Sequence, residues 1–195
     1  MTSITPFGRP RSNIARTAIL QAAFDVLSQR GYAGLTIEGV AQAAGAGKTT
    51  IYRWWPDKAA LAVDAFFAAT VDDLRLPDTS SASDDFTQQI MALGHLLRRP
   101  RGAVMAAMLA GGCHDAVLAQ ALGTRWLAPR RAWGVARMTR AQAEGQLRDG
   151  VAIGAALAVL YGPVYTPLLF GQPVPEADAL AAILAIACHG VFAPI

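Results

Sequence analysis

The sequence predicts an all-α chain: a small three-helix head, two of its helices joined by a tight turn, followed by a larger α-helical body. Three observations carry that expectation. Apolar residues recur at helical spacing along most of the chain, strand-like alternation is almost absent, and the breaks fall at Gly, Pro or short polar runs. With 195 residues, 53% of them hydrophobic, the chain can bury a substantial core.

The head is read as residues 1–56 and the body as 57–195. Phe7-Gly-Arg-Pro-Arg11 sets Arg9 and Arg11 around a proline, which suits either a short extended basic arm in a minor groove or a disordered terminus. A first helix over 12–30 carries Ile19, Ala23 and Val26 beside Leu20, Phe24 and Leu27, and Gly31 ends it. In the second helix Ile37, Val40, Ala41 and Ala44 lie at i, i+3, i+4 and i+7, so one face is buried. Thr36 can cap its start, and Gly45 supplies the positive φ wanted at its end.

A third short helix fits Lys48–Trp54, with Ile51 and Trp55 inward and Lys48, Thr49, Thr50, Tyr52, Arg53 and Trp54 outward, before Pro56 stops it. Two aromatics at helical spacing would ordinarily read as core. Their company of cations and hydroxyls points outward instead, to phosphates and base edges in a major groove. Asp57 can cap the next helix. Lys58 in its first turn opposes the helix dipole, which a phosphate partner would explain. Charge follows the same division: residues 1–58 hold seven Lys and Arg against three Asp and Glu, and residues 59–195 hold ten against eleven, which together make the net +3.

These residues resemble the DNA-binding domain of the TetR family of bacterial transcriptional regulators. The likeness runs from about Arg9 to Phe67 and includes Gly31-Tyr32, Thr36, Ala44-Gly45, Lys48-x-Thr50-Ile51-Tyr52-x-Trp54-Trp55 and Lys58. It implies phosphate contacts from Thr36, Thr50, Tyr52, Trp54 and Lys58, and base contacts from Lys48, Thr49 and Arg53. Ala46 departs from the larger apolar residue many relatives carry. The resemblance further implies a homodimer on a double-stranded DNA operator, with a small-molecule effector in the body and repression as the outcome.

An enzyme reading fails on spacing. Ala44-Gly-Ala-Gly-Lys-Thr-Thr50 looks like the end of a phosphate-binding P-loop, but Gln42 stands where the motif needs Gly, and a helix precedes it where a strand is required. No Ser/His/Asp or paired-carboxylate set stands out, and no cofactor is expected. The competing reading is an all-α ligand-binding or enzymatic body with a non-functional head.

In the body, 57–76 reads as one long helix bearing Leu61, Ala65, Phe66 and Phe67, the natural lever for two recognition helices that must stay about 34–36 Å apart. Residues 77–85 form a polar loop that reads as the best domain boundary. Helices are expected near 85–98, 101–111, 115–145, 151–170 and 176–192. Residues 150–175 carry no charge, a length that could span a bilayer, but Pro163 and Pro167 interrupt it and interfacial anchors are lacking, so no membrane partner is expected. A stripe of Leu157, Leu160, Val164 and Leu168 matches Leu180, Ile183, Leu184, Ala187 and Val191 on the next helix as a dimer interface. The segments Gly145-Gln-Leu-Arg-Asp149, Leu160-Tyr-Gly-Pro163 and Gly171-Gln-Pro173 are similar to one type of C-terminal domain in the same family.

Phe67, Met91, His95, Met105, Met108, Trp126, Trp133, Tyr161 and Tyr165 form a flexible apolar and aromatic set suited to lining an effector pocket. Each is also ordinary core material. Cys113 and Cys188, without a secretory pattern, fit a reducing cytoplasm. The Cys113-His114 and Cys188-His189 pairs are poor metal ligands, because adjacent residues on a helix point about 100° apart.

Overall fold

The computed structural model describes residues 9–194; Phe7, Gly8 and the side chains of 9–12 and 101 lie outside the described residues. The chain divides between Ala69 and Thr70 into two compact units. Among the described residues the regular structure is helical, with one isolated antiparallel bridge between Leu147 and Phe192.

In the first unit, α1 (Arg9–Gly34) opens with Pro10, whose missing N–H costs nothing in a first turn. The backbone of Arg9 and Arg11 is therefore helical, which corrects the extended-arm reading. Gly31, at φ 65°, breaks the helix where expected, and a last turn follows to Gly34. Helix α2 (Ile37–Ala44) is capped by Thr36, whose hydroxyl accepts from the Gly39 amide at 3.0 Å. Gly45 ends it in the left-handed region at φ 61°, and its amide closes on the carbonyls of the last turn. A Cβ there would meet nothing within 4 Å, so Gly45→Ala isolates backbone strain from packing. The expected loss is about 1–2 kcal/mol of head stability, measured by denaturant titration.

After α3 (Lys48–Tyr52), carbonyls of Thr49 and Ile51 accept from the amides of Arg53, Trp54 and Trp55, which carries the chain to Pro56. Asp57 caps α4 (Lys58–Thr70) by accepting from the Ala60 amide at 2.8 Å. Ile19, Leu27, Leu35, Ile51, Trp55, Leu61 and Phe66 make the core of this unit. Helix α4 ends six residues before the expected 76. Thr70, Val71, Asp72 and Asp73 are weak helix formers, and the aspartates oppose the negative end of the dipole.

The second unit is built around α5 (Ala82–Arg98), which touches α6 (Pro100–Gly112), α8 (Ala128–Ala143), α9 (Ile153–Leu169) and α10 (Ala177–Val191). The polar loop at 77–85 lies inside this unit and is no boundary. Asp85, 1% exposed, accepts from the Thr79 amide and hydroxyl and from Arg137 Nε at 2.7 Å. Arg140 pairs with Asp78 over the same loop. Gln146 holds the start of α5, accepting from the Ala82 amide at 2.8 Å and donating to the Ser80 carbonyl at 2.8 Å.

The helix expected over 115–145 runs as α7 (Ala116–Ala121), a widened π segment at Leu122–Leu127, and α8. Pro129 explains the widening, since its ring would clash with the carbonyl four residues earlier in a regular α-helix. Helix α9 keeps Pro163 and Pro167 in its interior. No single helix among the described residues is long and apolar enough to cross a membrane.

The stripe expected at a dimer interface is spent inside the protomer. Leu157, Leu160, Val164, Leu168, Leu180, Leu184, Ala187 and Val191 are all buried by their own chain, and only Ile183 is exposed. Helix α9 is apolar nearly all round, so its period could not say which face turns inward.

Candidate nucleic-acid interface

The recognition segment is set by two anchors. Ile51 and Trp55 are buried, and the Trp55 indole N–H donates to Asp64 Oδ2 on α4 at 2.8 Å. Pinning that edge turns the opposite edge outward: Lys48, Thr49, Tyr52 and Arg53 are exposed. Thr50 and Trp54 are half-buried. The Trp54 ring meets Trp55 edge-on at 5.6 Å and lies beneath Arg53, whose Cζ is 4.9 Å from its centroid. Trp54 is thus a partly covered platform for Arg53 more than a free side chain.

Two contacts were not legible in the sequence. Lys48 Nζ is paired with Glu38 Oε1 at 2.7 Å, a hydrogen bond that lowers the Glu38 carboxyl and raises the Lys48 ammonium from their ordinary values. Both groups are exposed, so water screens the pair and holds it only weakly. Lys58 Nζ lies 4.6 Å from the centre of the Tyr32 ring, a cation–π contact that offsets its unfavourable place at a helix start. A Glu in the first turn of α2 suits the dipole by itself, which hides its second role.

Thr36 spends a lone pair on its cap, which leaves its hydroxyl proton available to donate. Arg9 and Arg11 stand in the opening turn of α1, with side chains outside the described residues.

In the body, Tyr161 and Tyr165 share a cleft of about 360 Å³ beside Arg130. Trp126 lies against Arg130, and Trp133 lines a second cleft of about 480 Å³ with Arg137, Arg140 and Pro77. His95 is exposed on α5, and Met91 and Phe67 are half-buried. Met105 and Met108 are fully buried core. The set is therefore dispersed, and the arginine at its centre was missed; its signal was the four-residue spacing from Trp126. The described residues hold no cluster of three or more groups able to bind a metal ion.

An exposed polar and cationic helix, clamped by a buried tryptophan and following a capped helix and a glycine turn, defines a helix-turn-helix DNA-binding regulator. Residues 19–65 match the family described as bacterial regulatory proteins, tetR family, and 76–186 match the tetracyclin repressor-like C-terminal domain. The chain belongs to the TetR family of transcriptional regulators. It is 34% identical over 162 residues to the uncharacterised HTH-type regulator YdeS of Bacillus subtilis, covering 83% of this chain and 82% of that one. The crystal structure of the TetR-family regulator SCO0332 is 35% identical, with a TM-score of 0.79 over 92% of this chain and 99% of that one. FadR from Bacillus subtilis, crystallised with stearoyl-CoA, shares the fold at 16% identity and a TM-score of 0.64, over 89% of this chain and 97% of that one.

Proposed function

We propose that this regulator is a repressor that binds a palindromic operator as a homodimer and is released by a small-molecule ligand. The observation that carries it is the outward edge of α3, where Lys48, Thr49, Tyr52 and Arg53 stand exposed on a segment whose inner edge is locked by Ile51 and Trp55. Lys48, Thr49 and Arg53 read bases, while Thr36, Thr50, Tyr52, Trp54 and Lys58 hold the backbone.

One recognition helix makes few contacts, and a two-fold pair doubles them across successive grooves. The outer faces of α9 and α10 support such pairing: Val159, Leu169, Phe170, Ile183 and Ile186 are exposed together with Pro173 and Pro175 nearby, apolar surface that a partner would cover. The seam therefore uses Ile183 from the expected stripe and the faces opposite its other members. Ligand release draws support from the clefts of the second unit and from a protein of the same fold crystallised with stearoyl-CoA.

The test is binding to DNA from beside its own gene, followed by fluorescence anisotropy at several salt concentrations. Lys58→Ala is expected to weaken binding to every sequence and to flatten the salt slope by about one unit. Arg53→Ala is expected to relax preference at one or two base positions at a cost of about 1–3 kcal/mol. Parent-like binding by both variants would remove these residues from the interface.

A further inference from the structure

Arg130 stands one turn beyond Trp126, and its guanidinium lies over that indole at 4.6 Å from the ring centroid. The residue is 7% exposed, and Nε, Nη1 and Nη2 are all buried without a well-formed hydrogen bond, the guanidinium having only a polar interaction with the Tyr165 hydroxyl. No carboxylate among the described residues pairs with it. A buried cation with no counter-charge is among the costliest features a fold can hold, unless an anion arrives from outside.

The surroundings suit one. Arg130 lines the cleft of about 360 Å³ with Leu127, Leu157, Ala158, Tyr161 and Tyr165, within the size range of small-molecule sites and largely apolar. Burial pushes both phenols above their ordinary range, and the Arg130 charge opposes that rise, so both hydroxyls stay protonated. Tyr161 gives its proton to Gln89 Oε1 at 2.6 Å. Tyr165 accepts from the Trp126 indole N–H at 3.2 Å, and no acceptor for its own proton occurs among the described residues. A guanidinium and a free phenol proton thus sit side by side in one cleft. The π segment at Leu122–Leu127 leads into this wall, a local irregularity that places Trp126 behind the arginine.

We propose that this cleft is the effector site and takes a small amphipathic carboxylate, the anionic end paired with Arg130 and the Tyr165 hydroxyl and the apolar body lying on Leu127, Leu157 and Ala158. A planar carboxylate matches the guanidinium fork with two parallel bonds. A single buried cation satisfies one negative charge; Arg131, at the rim, is exposed. The assignment rests on the ligand-released reading above for its regulatory meaning, but binding is separable from it.

The experiment uses the full chain, with octanoate, phenylacetate and 2-naphthoate as probes, their amides as neutral matches, and inorganic phosphate as a second anion. At least one carboxylate is expected to raise the melting temperature by roughly 5–10 °C at a hundredfold excess over its Kd. Its amide and phosphate should leave it unchanged. Arg130→Met should lose the shift and melt no lower than the parent when unliganded, because it removes an unpaired charge, whereas Arg130→Lys should retain part of the response. Equal shifts from acid and amide, a shift from phosphate alone, no shift from any carboxylate, or a lower-melting Arg130→Met would overturn the site. Arg130→Met sedimenting as a smaller species would also overturn it, by pointing to a carboxylate from a second copy. A carboxylate that binds through Arg130 without altering operator affinity would leave the site standing and remove ligand release.

Discussion

Asp85→Ala is expected to destabilise the second unit by about 3–5 kcal/mol, because it leaves the buried Arg137 with only the exposed Asp78 carboxylate, 3.9 Å from Nε, as counter-charge. Arg137 and Asp85 are 4% and 1% exposed at the side chain and meet at 2.7 Å. The carboxylate also gathers the Thr79 amide and hydroxyl, so its loss frees the 77–85 loop from the start of α5. Arg137 Nη1 already lacks a hydrogen-bond partner, so without Asp85 the guanidinium keeps one hydrogen bond, from Nη2 to the Thr79 carbonyl at 3.2 Å, and the long contact with Asp78. Urea denaturation followed by circular dichroism reads the effect. The double variant Asp85→Leu with Arg137→Met is expected to lie within about 1 kcal/mol of the parent, since removing both charges removes the desolvation cost as well. If Asp85→Ala matched the parent, the pair would not be what holds the loop.

Trp55→Ala should abolish DNA binding while most of the helical signal remains. The indole is 1% exposed and is one of the largest buried side chains in the chain, so truncation costs about 3–5 kcal/mol. A head of this size has little stability in reserve. Gel-shift and circular dichroism on the same preparation separate the two outcomes. Trp55→Phe keeps most of the volume but removes the bond to Asp64, with an expected cost of about 1–3 kcal/mol and weakened binding. Full DNA affinity in Trp55→Ala would mean that this anchor does not orient α3.

The head was legible because its determinants are local. Thr36 caps residues three positions away, Gly45 satisfies the turn it closes, and the Ile51 and Trp55 pair lies one helical turn apart. Contacts of that range follow from spacing and side-chain chemistry. The end of α4 was less legible. Leu61, Ala65 and Phe66 continue the expected period, but the chain turns after Thr70, and the Leu74 carbonyl accepts from Gln89 Nε2 at 3.2 Å, fifteen residues away. Nothing near Leu74 in the sequence announces that partner. The body's polar interior was hidden for the same reason: Arg130 and Arg137 read as ordinary solvated helix charges until the fold buries them.

By itself the sequence determined the helical class, the capped helix, the glycine turn, the exposed cationic edge of α3 and the concentration of positive charge at the front of the chain. Only the tertiary structure decided which side of α9 and α10 faces inward, that Lys48 and Lys58 meet Glu38 and Tyr32, and that Arg130 is buried with no carboxylate beside it. The physical reason is range. Capping, periodicity and turn chemistry act within a few residues, whereas burial of a face or a charge depends on which distant helix arrives beside it.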